Sequence, residues 1–204
     1  MSKPDRSIDP RILQSAKEEF LEKGFLAASL KDICMKAEVT TGALYKRYRG
    51  KEELFCAVVA DTVADLDGYV TEKCSLNPVD LSDEMLIKAW DMDEEYMLWW
   101  FKFLYDRHDG FVLLIKGGEG TSYSNFQHDW LQKMTDATYG YYKEAYRRGL
   151  ATKKISEKEM HIMLTAFWTT IFEPFIHGFD WEQIANHNKL ICELFDWHGV
   201  LGFS

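Results

Sequence analysis

Apolar positions recur every three to four residues along almost the whole chain, and strand-like alternation is nearly absent, so the pattern predicts helices throughout. Near the N-terminus Ile12, Leu13, Ala16, Phe20 and Leu21 make one apolar stripe. Asp9 suits its N-cap, Pro10 its first helical position and Gly24 its stop. "SLKD" then opens a short helix, with Ser29 as cap, Asp32 in the capping-box position, and Leu30, Ile33, Cys34 and Ala37 on the buried side. Thr40 caps a second short helix through Tyr48. After Gly50, "KEELFCAVVADTVADLDGYV" reads as a long helix whose acidic first turn suits the helix dipole.

Past "NPVD" (Asn77–Asp80) the pattern predicts helices over Ser82–Arg107, Phe111–Lys116, Tyr123–Arg148, Ser156–Phe179 and Asp180–Gly199. The breaks between them, "HDG", "KGGEGTS" and "RRGLATKKIS", carry turn chemistry. Pro174 falls inside the helix that Ser156 caps, which predicts a kink near Thr170–Glu173. There is no internal repeat and no low-complexity tract. The fold class is all-α.

Composition narrows the class. A chain of 204 residues that is 47% apolar has enough material for a buried core. Its longest apolar runs, such as "FVLLI" (Phe111–Ile115), are too short to cross a bilayer, and "MSKPDRSIDP" lacks the apolar stretch of a secretory signal. The expectation is therefore a cytoplasmic protein with no membrane partner. The four cysteines, Cys34, Cys56, Cys74 and Cys192, form no CxxC pair, which fits reduced thiols better than a disulfide framework or a zinc site.

Charge changes the picture further. The net charge is −9, yet residues 1–55 hold 11 Lys+Arg against 9 Asp+Glu, and residues 56–204 hold 13 against 24. Within Ser29–Lys51, Lys31, Lys36, Lys46, Arg47, Arg49 and Lys51 face only Asp32 and Glu38, a balance of +4. A compact positive stretch on an acidic chain can hold an anion locally while the rest repels it.

That stretch also has the right spacing. Only Glu38 and Val39 separate the two short helices, as in a helix-turn-helix, whose second helix enters the DNA major groove. Thr40 and Thr41 put hydroxyls and N–H groups at the helix start, where phosphate is favoured. Gly42 and Ala43 permit close approach to base edges, Leu44 packs inward, and Tyr45 and Lys46 reach outward. Lys51 adds a charge at the start of the next helix. An ordinary helical hairpin is the competing reading of the spacing alone.

The stretch "ASLKDICMKAEVTTGALYKRYRGKEELFCAVV" resembles the N-terminal DNA-binding module of the TetR family of bacterial repressors. The likeness rests on Ser29, Ile33, Ala37, Val39, Gly42, Leu44, Tyr45, Tyr48 and the "KEEL" of Lys51–Leu54, and covers about residues 9–60. It implies a three-helix DNA-binding domain over residues 1–55 and a larger helical ligand-binding and dimerisation domain over residues 56–204. It implies DNA contacts from Thr40, Thr41, Gly42, Ala43, Tyr45 and Lys46, with Ser29, Lys31 and Lys51 near phosphates. Two positions depart from the family pattern. Glu38 stands where glycine is usual, at a cost of roughly 1 kcal/mol if its backbone is left-handed, and Tyr48 stands where phenylalanine is usual.

In the C-terminal part, six of the seven tryptophans fall in residues 90–181 among many other aromatics. Aromatic stripes at helical spacing are commonly core, but such a bundle can also hold an apolar cavity. By the family resemblance that cavity would bind an apolar or aromatic small-molecule effector, with Trp99, Phe103, Trp130, Met134, Tyr141, Trp168 and Phe172 as lining. Glu173 would favour a cationic aromatic ligand if it faced inward; a solvated or capping carboxylate is the other reading. Ile162, Thr165, Ala166 and Thr169, with Ile184, Asn188, Ile191 and Phe195, are expected to pair two copies through a four-helix interface; closing the core of a monomer is the other reading of these faces.

The six histidines show no HExxH or similar spacing, so no metal site is expected. No GxSxG, P-loop or glycine-rich dinucleotide turn is present, so no catalytic residues and no cofactor are expected. The reading is a homodimeric, ligand-responsive regulator that binds a double-stranded DNA operator, a repressor released by its effector. The rival is a helical-bundle adaptor or small-molecule-binding protein without sequence-specific DNA binding.

Overall fold

The apolar stripes become helices whose buried faces are the residues the period marks. A computed structural model describes residues 8–203 as α1 (Ile8–Ala27), α2 (Leu30–Lys36), α3 (Thr41–Tyr45), α4 (Lys51–Ser75), α5 (Asp83–Lys88), α6 (Glu94–Tyr105), α7 (His108–Val112), α8 (Phe126–Arg147), α9 (Glu157–Ile176), α10 (Trp181–Leu194) and α11 (Trp197–Leu201). A π-helical turn, Leu113–Gly117, continues α7. The described residues contain no strand; an isolated bridge joins Ala151 and Phe203. The first seven residues of the expected 1–55 domain lie outside the described residues.

Several boundaries differ from the sequence expectation. Asp9 lies within the first turn of α1 instead of capping it. The expected helix over Ser82–Arg107 is two helices, because the Asp93 side chain caps α6 by accepting the Tyr96 N–H at 2.8 Å. The expected helix after Asp180 stops at Leu194, and Asp196 caps α11. Gly24 does interrupt α1, at φ 70°.

The described residues divide into two compact units, with the division inside α4. One unit holds the residues up to Asp65 together with Arg107–Phe126. Its core joins Ile12, Ala16 and Phe20 of α1 to Ile33 and Cys34 of α2, Leu44 of α3 and Leu54, Phe55 and Val59 of α4. The rings of Phe20, Phe25 and Phe55 meet at 5.1 to 6.1 Å. Gly110 of α7 crosses α4 so closely that a Cβ would lie 2.0 Å from the Thr62 hydroxyl oxygen, so no larger residue fits.

The other unit holds Leu66–Asp106 and the residues from Gln127 onward. Here α6 packs on α10, and Asn188, fully buried, donates to the Glu94 carbonyl at 2.9 Å. Pro174 sits within α9 as expected and leaves the Thr170 carbonyl without its helical N–H partner. His187 Nε2 of α10 lies 2.8 Å from that carbonyl and satisfies it. The Pro174 break is thereby closed by a side chain from the neighbouring helix, and the imidazole is held edge-on by Phe101 and Phe179.

Candidate nucleic-acid interface

The first two helices are braced by one carboxylate. Glu19 of α1 has no exposed side-chain surface; its Oε1 accepts from Lys23 at 2.7 Å and from the Ser29 N–H at 3.2 Å, and its Oε2 accepts from Lys36 at 3.0 Å. Burial by itself would raise the pKa of this carboxyl; the hydrogen bonds from the two ammonium groups and the Ser29 amide outweigh it and hold the pKa at about 2. The α1–α2 angle is therefore fixed by an ion-pair hub as well as by apolar contact. Nothing in the sequence marks Glu19, which sits in an "EEF" run that reads as an ordinary polar face.

From this frame α2 leads through a tight turn into α3. Ala37 ends α2, Glu38 takes the left-handed conformation at φ 54°, and the Val39 N–H returns to the Cys34 carbonyl at 3.0 Å. Among the described residues Glu38 is the non-glycine residue with positive φ, the cost the sequence predicts. Thr40 then caps α3, its Oγ1 accepting the Ala43 N–H at 3.1 Å. Leu44 is fully buried, which pins one face of α3. The opposite face presents Thr41, Gly42, Tyr45 and Lys46 to solvent, with Tyr45 56% exposed and Ala43 half-buried beside them. The helix ends at Tyr45, earlier than the expected Tyr48, and Lys46 forms its C-cap.

The basic residues divide into two groups. Arg47 turns back, its Nε on the Asp9 carboxylate and its Nη1 donating to the Ala43 carbonyl at 3.1 Å. Lys36 is held by Glu19 and Glu22. Lys31 and Lys46 are exposed and have no ion-pair partner among the described residues. Ser29 caps α2 through the Asp32 N–H at 3.3 Å. Lys51 is more committed than its sequence position suggests. Its Nζ donates to the Leu26 and Ala28 carbonyls, both at 2.9 Å, and lies 4.8 Å from the centre of the Phe25 ring. It ties the start of α4 to the turn before α2, and has one N–H left to offer a phosphate.

The second unit encloses a narrow cavity of about 30 Å³, lined mainly by aromatic and aliphatic side chains from α4, α6, α8, α9 and α11 and from the α5–α6 connection. Of the seven residues expected there, Met134, Tyr141 and Trp168 line it. The other four do not. Trp99 is 47% exposed, stacked on Phe103, while its neighbour Trp100 faces the cavity. Trp130 and Phe172 are buried against Trp168 in the layer behind. Glu173 is exposed and pairs with His177 at 3.2 Å, so it offers no inward charge. Tyr69, Trp90, Tyr96 and Trp197 line the cavity without having been expected; the Tyr69 and Tyr96 hydroxyls meet at 2.7 Å. Burial, first, and the adjacent Tyr96 push the Tyr69 phenol far above its ordinary value, so it stays neutral.

Residues 12–58 match the model of bacterial regulatory proteins of the tetR family. This N-terminal segment is of the TetR type. A transposon Tn10 TetC protein of Escherichia coli is 23% identical over 194 residues, 95% of this chain and 86% of its own length. The HTH-type transcriptional regulator UidR of Escherichia coli K12 is 43% identical over 49 residues, about a quarter of each chain. In fold, a TetR-like transcriptional regulator from Rhodococcus sp. RHA1 superposes with a TM-score of 0.61 at 16% identity, covering 98% of this chain and all of that one.

The matched TetR-family segment begins in α1, ends in α4 and contains all nine residues expected at DNA, from Ser29 to Lys51. Six of them, Thr40, Thr41, Gly42, Ala43, Tyr45 and Lys46, fall together on α3 and its caps, and Lys31 lies in the first turn of α2. Ser29 and Lys51 lie at the α1–α2 side, where each also has a hydrogen-bonding role in the frame.

Proposed function

We propose that this TetR-family chain is a cytoplasmic, homodimeric repressor that binds an operator through α3 and is released by a small molecule in the second unit. The observation that carries the DNA reading is the exposed face of α3. A helix fixed on one side by Leu44 and capped by Thr40 offers hydroxyls, a bare glycine, a phenol and an unpaired ammonium on the other. Thr41, Gly42, Ala43 and Tyr45 are assigned to base edges and the adjoining sugar–phosphate chain. Thr40, Lys46, Lys31, Ser29 and the remaining N–H of Lys51 are assigned to phosphates. DNA reading belongs to residues 1–55, and effector binding and pairing to residues 56–204.

Pairing is assigned to α9 and α10, with one revision of the expected face. Ile162 is 67% exposed, and Ala166 and Thr169 share its side of α9. On α10, Ile184, Asn188 and Ile191 are buried in their own unit; the outward apolar residues are Leu190 and Leu194, 64% and 70% exposed. Those two replace the former three as the contact to a second copy.

Coupling is assigned to α4, which belongs to both units. It carries Lys51 and Phe55 in the head and Tyr69 at the cavity. A cavity of about 30 Å³ holds a water or two, so an effector binds an opened form. Opening moves Tyr69, and with it the helix that sets the spacing of two reading heads; only one spacing suits adjacent major grooves. The test is footprinting of the purified protein on DNA upstream of its own gene. A two-fold-symmetric protected site that saturates at two chains supports the reading, and protection indistinguishable from random DNA contradicts it.

A further inference from the structure

Among the described residues, two buried side-chain polar groups have no partner. The indole Nε1–H groups of Trp90 and Trp197 are buried and meet no acceptor, in residues that are each 3% exposed. Buried donors are nearly always satisfied, because leaving one unmade forfeits its hydration for nothing. Both residues line the cavity, with ring centroids 5.7 Å apart, so the two unsatisfied donors belong to neighbouring residues of its wall. Elsewhere in the lining the Tyr69 and Tyr96 hydroxyls pair with each other, and Thr138 donates to the Met134 carbonyl at 2.7 Å.

Charge narrows the complement. Among the described residues no Asp, Glu, Lys, Arg or His lines the cavity, so neither an anion nor a cation finds a counter-charge there. The groove that shares Ala89, Tyr96 and Tyr141 with the cavity carries Asp91 and Asp93 beside Lys88, which disfavours approach of a carboxylate. We propose that the cavity selects an uncharged, largely aromatic molecule with a carbonyl-type oxygen, which enters past Ala89, Tyr96 and Tyr141 and accepts hydrogen bonds from Trp90 and Trp197. This rests on the effector reading above and adds the ligand's chemistry to it.

The test uses the full-length protein with indole-15N tryptophan and four naphthalene probes of similar size. They are 2-acetylnaphthalene, 2-ethylnaphthalene, 2-naphthoate and a trimethylammonium derivative. The ketone should bind at least about tenfold more tightly than the ethyl compound, since only it satisfies the two donors. It should also shift the Trp90 and Trp197 indole N–H resonances downfield. Trp90→Phe with Trp197→Phe should erase most of that preference, read as the ratio of ketone to hydrocarbon affinity within the same variant. The wild-type comparison stands even if the double variant fails to fold. Equal binding of ketone and hydrocarbon, or ketone binding that moves neither resonance, overturns the inference. Tighter binding of the cation or the naphthoate, with loss of DNA affinity, overturns it while the effector reading survives. Failure of all four probes to bind sinks both.

Discussion

Glu38 isolates a backbone effect from a charge effect in the turn that sets α3. Its φ of 54° costs an L-residue roughly 1–2 kcal/mol relative to a right-handed conformation. Glycine escapes that cost but gives back about 0.5–1 kcal/mol through the greater freedom of the unfolded chain. The ion pair with Arg11 offsets little: the atoms are 3.6 Å apart, the Glu38 side chain is 84% exposed, and such pairs contribute less than about 0.5 kcal/mol. Glu38→Ala removes the pair and keeps the strain, so it should be slightly destabilising. Glu38→Gly removes both and should exceed Glu38→Ala by about 1 kcal/mol, whereas glycine is the worse residue by a similar amount where φ is ordinary. The sign is the diagnostic. All seven tryptophans lie at Trp90 or beyond in the second unit, so their emission does not report this turn directly. Amide exchange does: the Val39 and Leu44 N–H groups are bonded to Cys34 and Thr40, and 1 kcal/mol is about a fivefold change in protection. Protection in Glu38→Ala equal to or above that in Glu38→Gly would refute the strained turn. Both substitutions remove a negative charge beside the proposed interface, so both should tighten DNA binding alike.

Three further outcomes follow from named contacts. Glu19 has a folded pKa of about 2 against an ordinary 4.5, so its contribution is present above about pH 4.5 and is lost as pH falls through about 2. Discounted for the part-exposed lysines, that is about 2 kcal/mol. Amide exchange in α2 should weaken on acidification in wild type and change less in Glu19→Gln. His187→Phe should cost about 1–2 kcal/mol in urea unfolding followed by tryptophan emission, by stranding the Thr170 carbonyl. Adding Pro174→Ala supplies the missing N–H and should recover much of the loss; no recovery would show that His187 acts by packing alone. Leu190→Glu with Leu194→Glu should convert a two-chain species to one chain by sedimentation, with weaker operator binding; an unchanged dimer would place the interface elsewhere.

The helix-turn-helix was legible because its signals are local: Ser29 and Thr40 both cap as their spacing implies, Leu44 is buried, and Glu38 is left-handed. The Ser156 and Asp180 caps were legible for the same reason. What failed depends on partners distant in sequence. Trp99 and Trp100 differ by about 100° around α6, and an aromatic stripe that includes both does not say which one faces inward. Ile184, Asn188 and Ile191 make an apolar face that serves a core as well as an interface, and only the packing of α6 on α10 decides between them. Lys51 looks like a phosphate ligand until the Leu26 and Ala28 carbonyls appear beside it. Trp90 and Trp197 stand out only once their missing acceptors are visible.

Whether the exposed face of α3 reads DNA is decided by fluorescence anisotropy on upstream DNA across a salt series. Lys31, Lys46, Arg49 and Lys51 have no ion pair among the described residues, so about four phosphates per head give a log–log salt slope near −7 for a dimer. Tyr45→Ala should weaken binding by at least tenfold, and Lys46→Ala should reduce the slope by about 1 per head, both with the fold unchanged because neither side chain is in the core. Binding that survives both substitutions with its slope intact would contradict the account and move the recognition surface off α3.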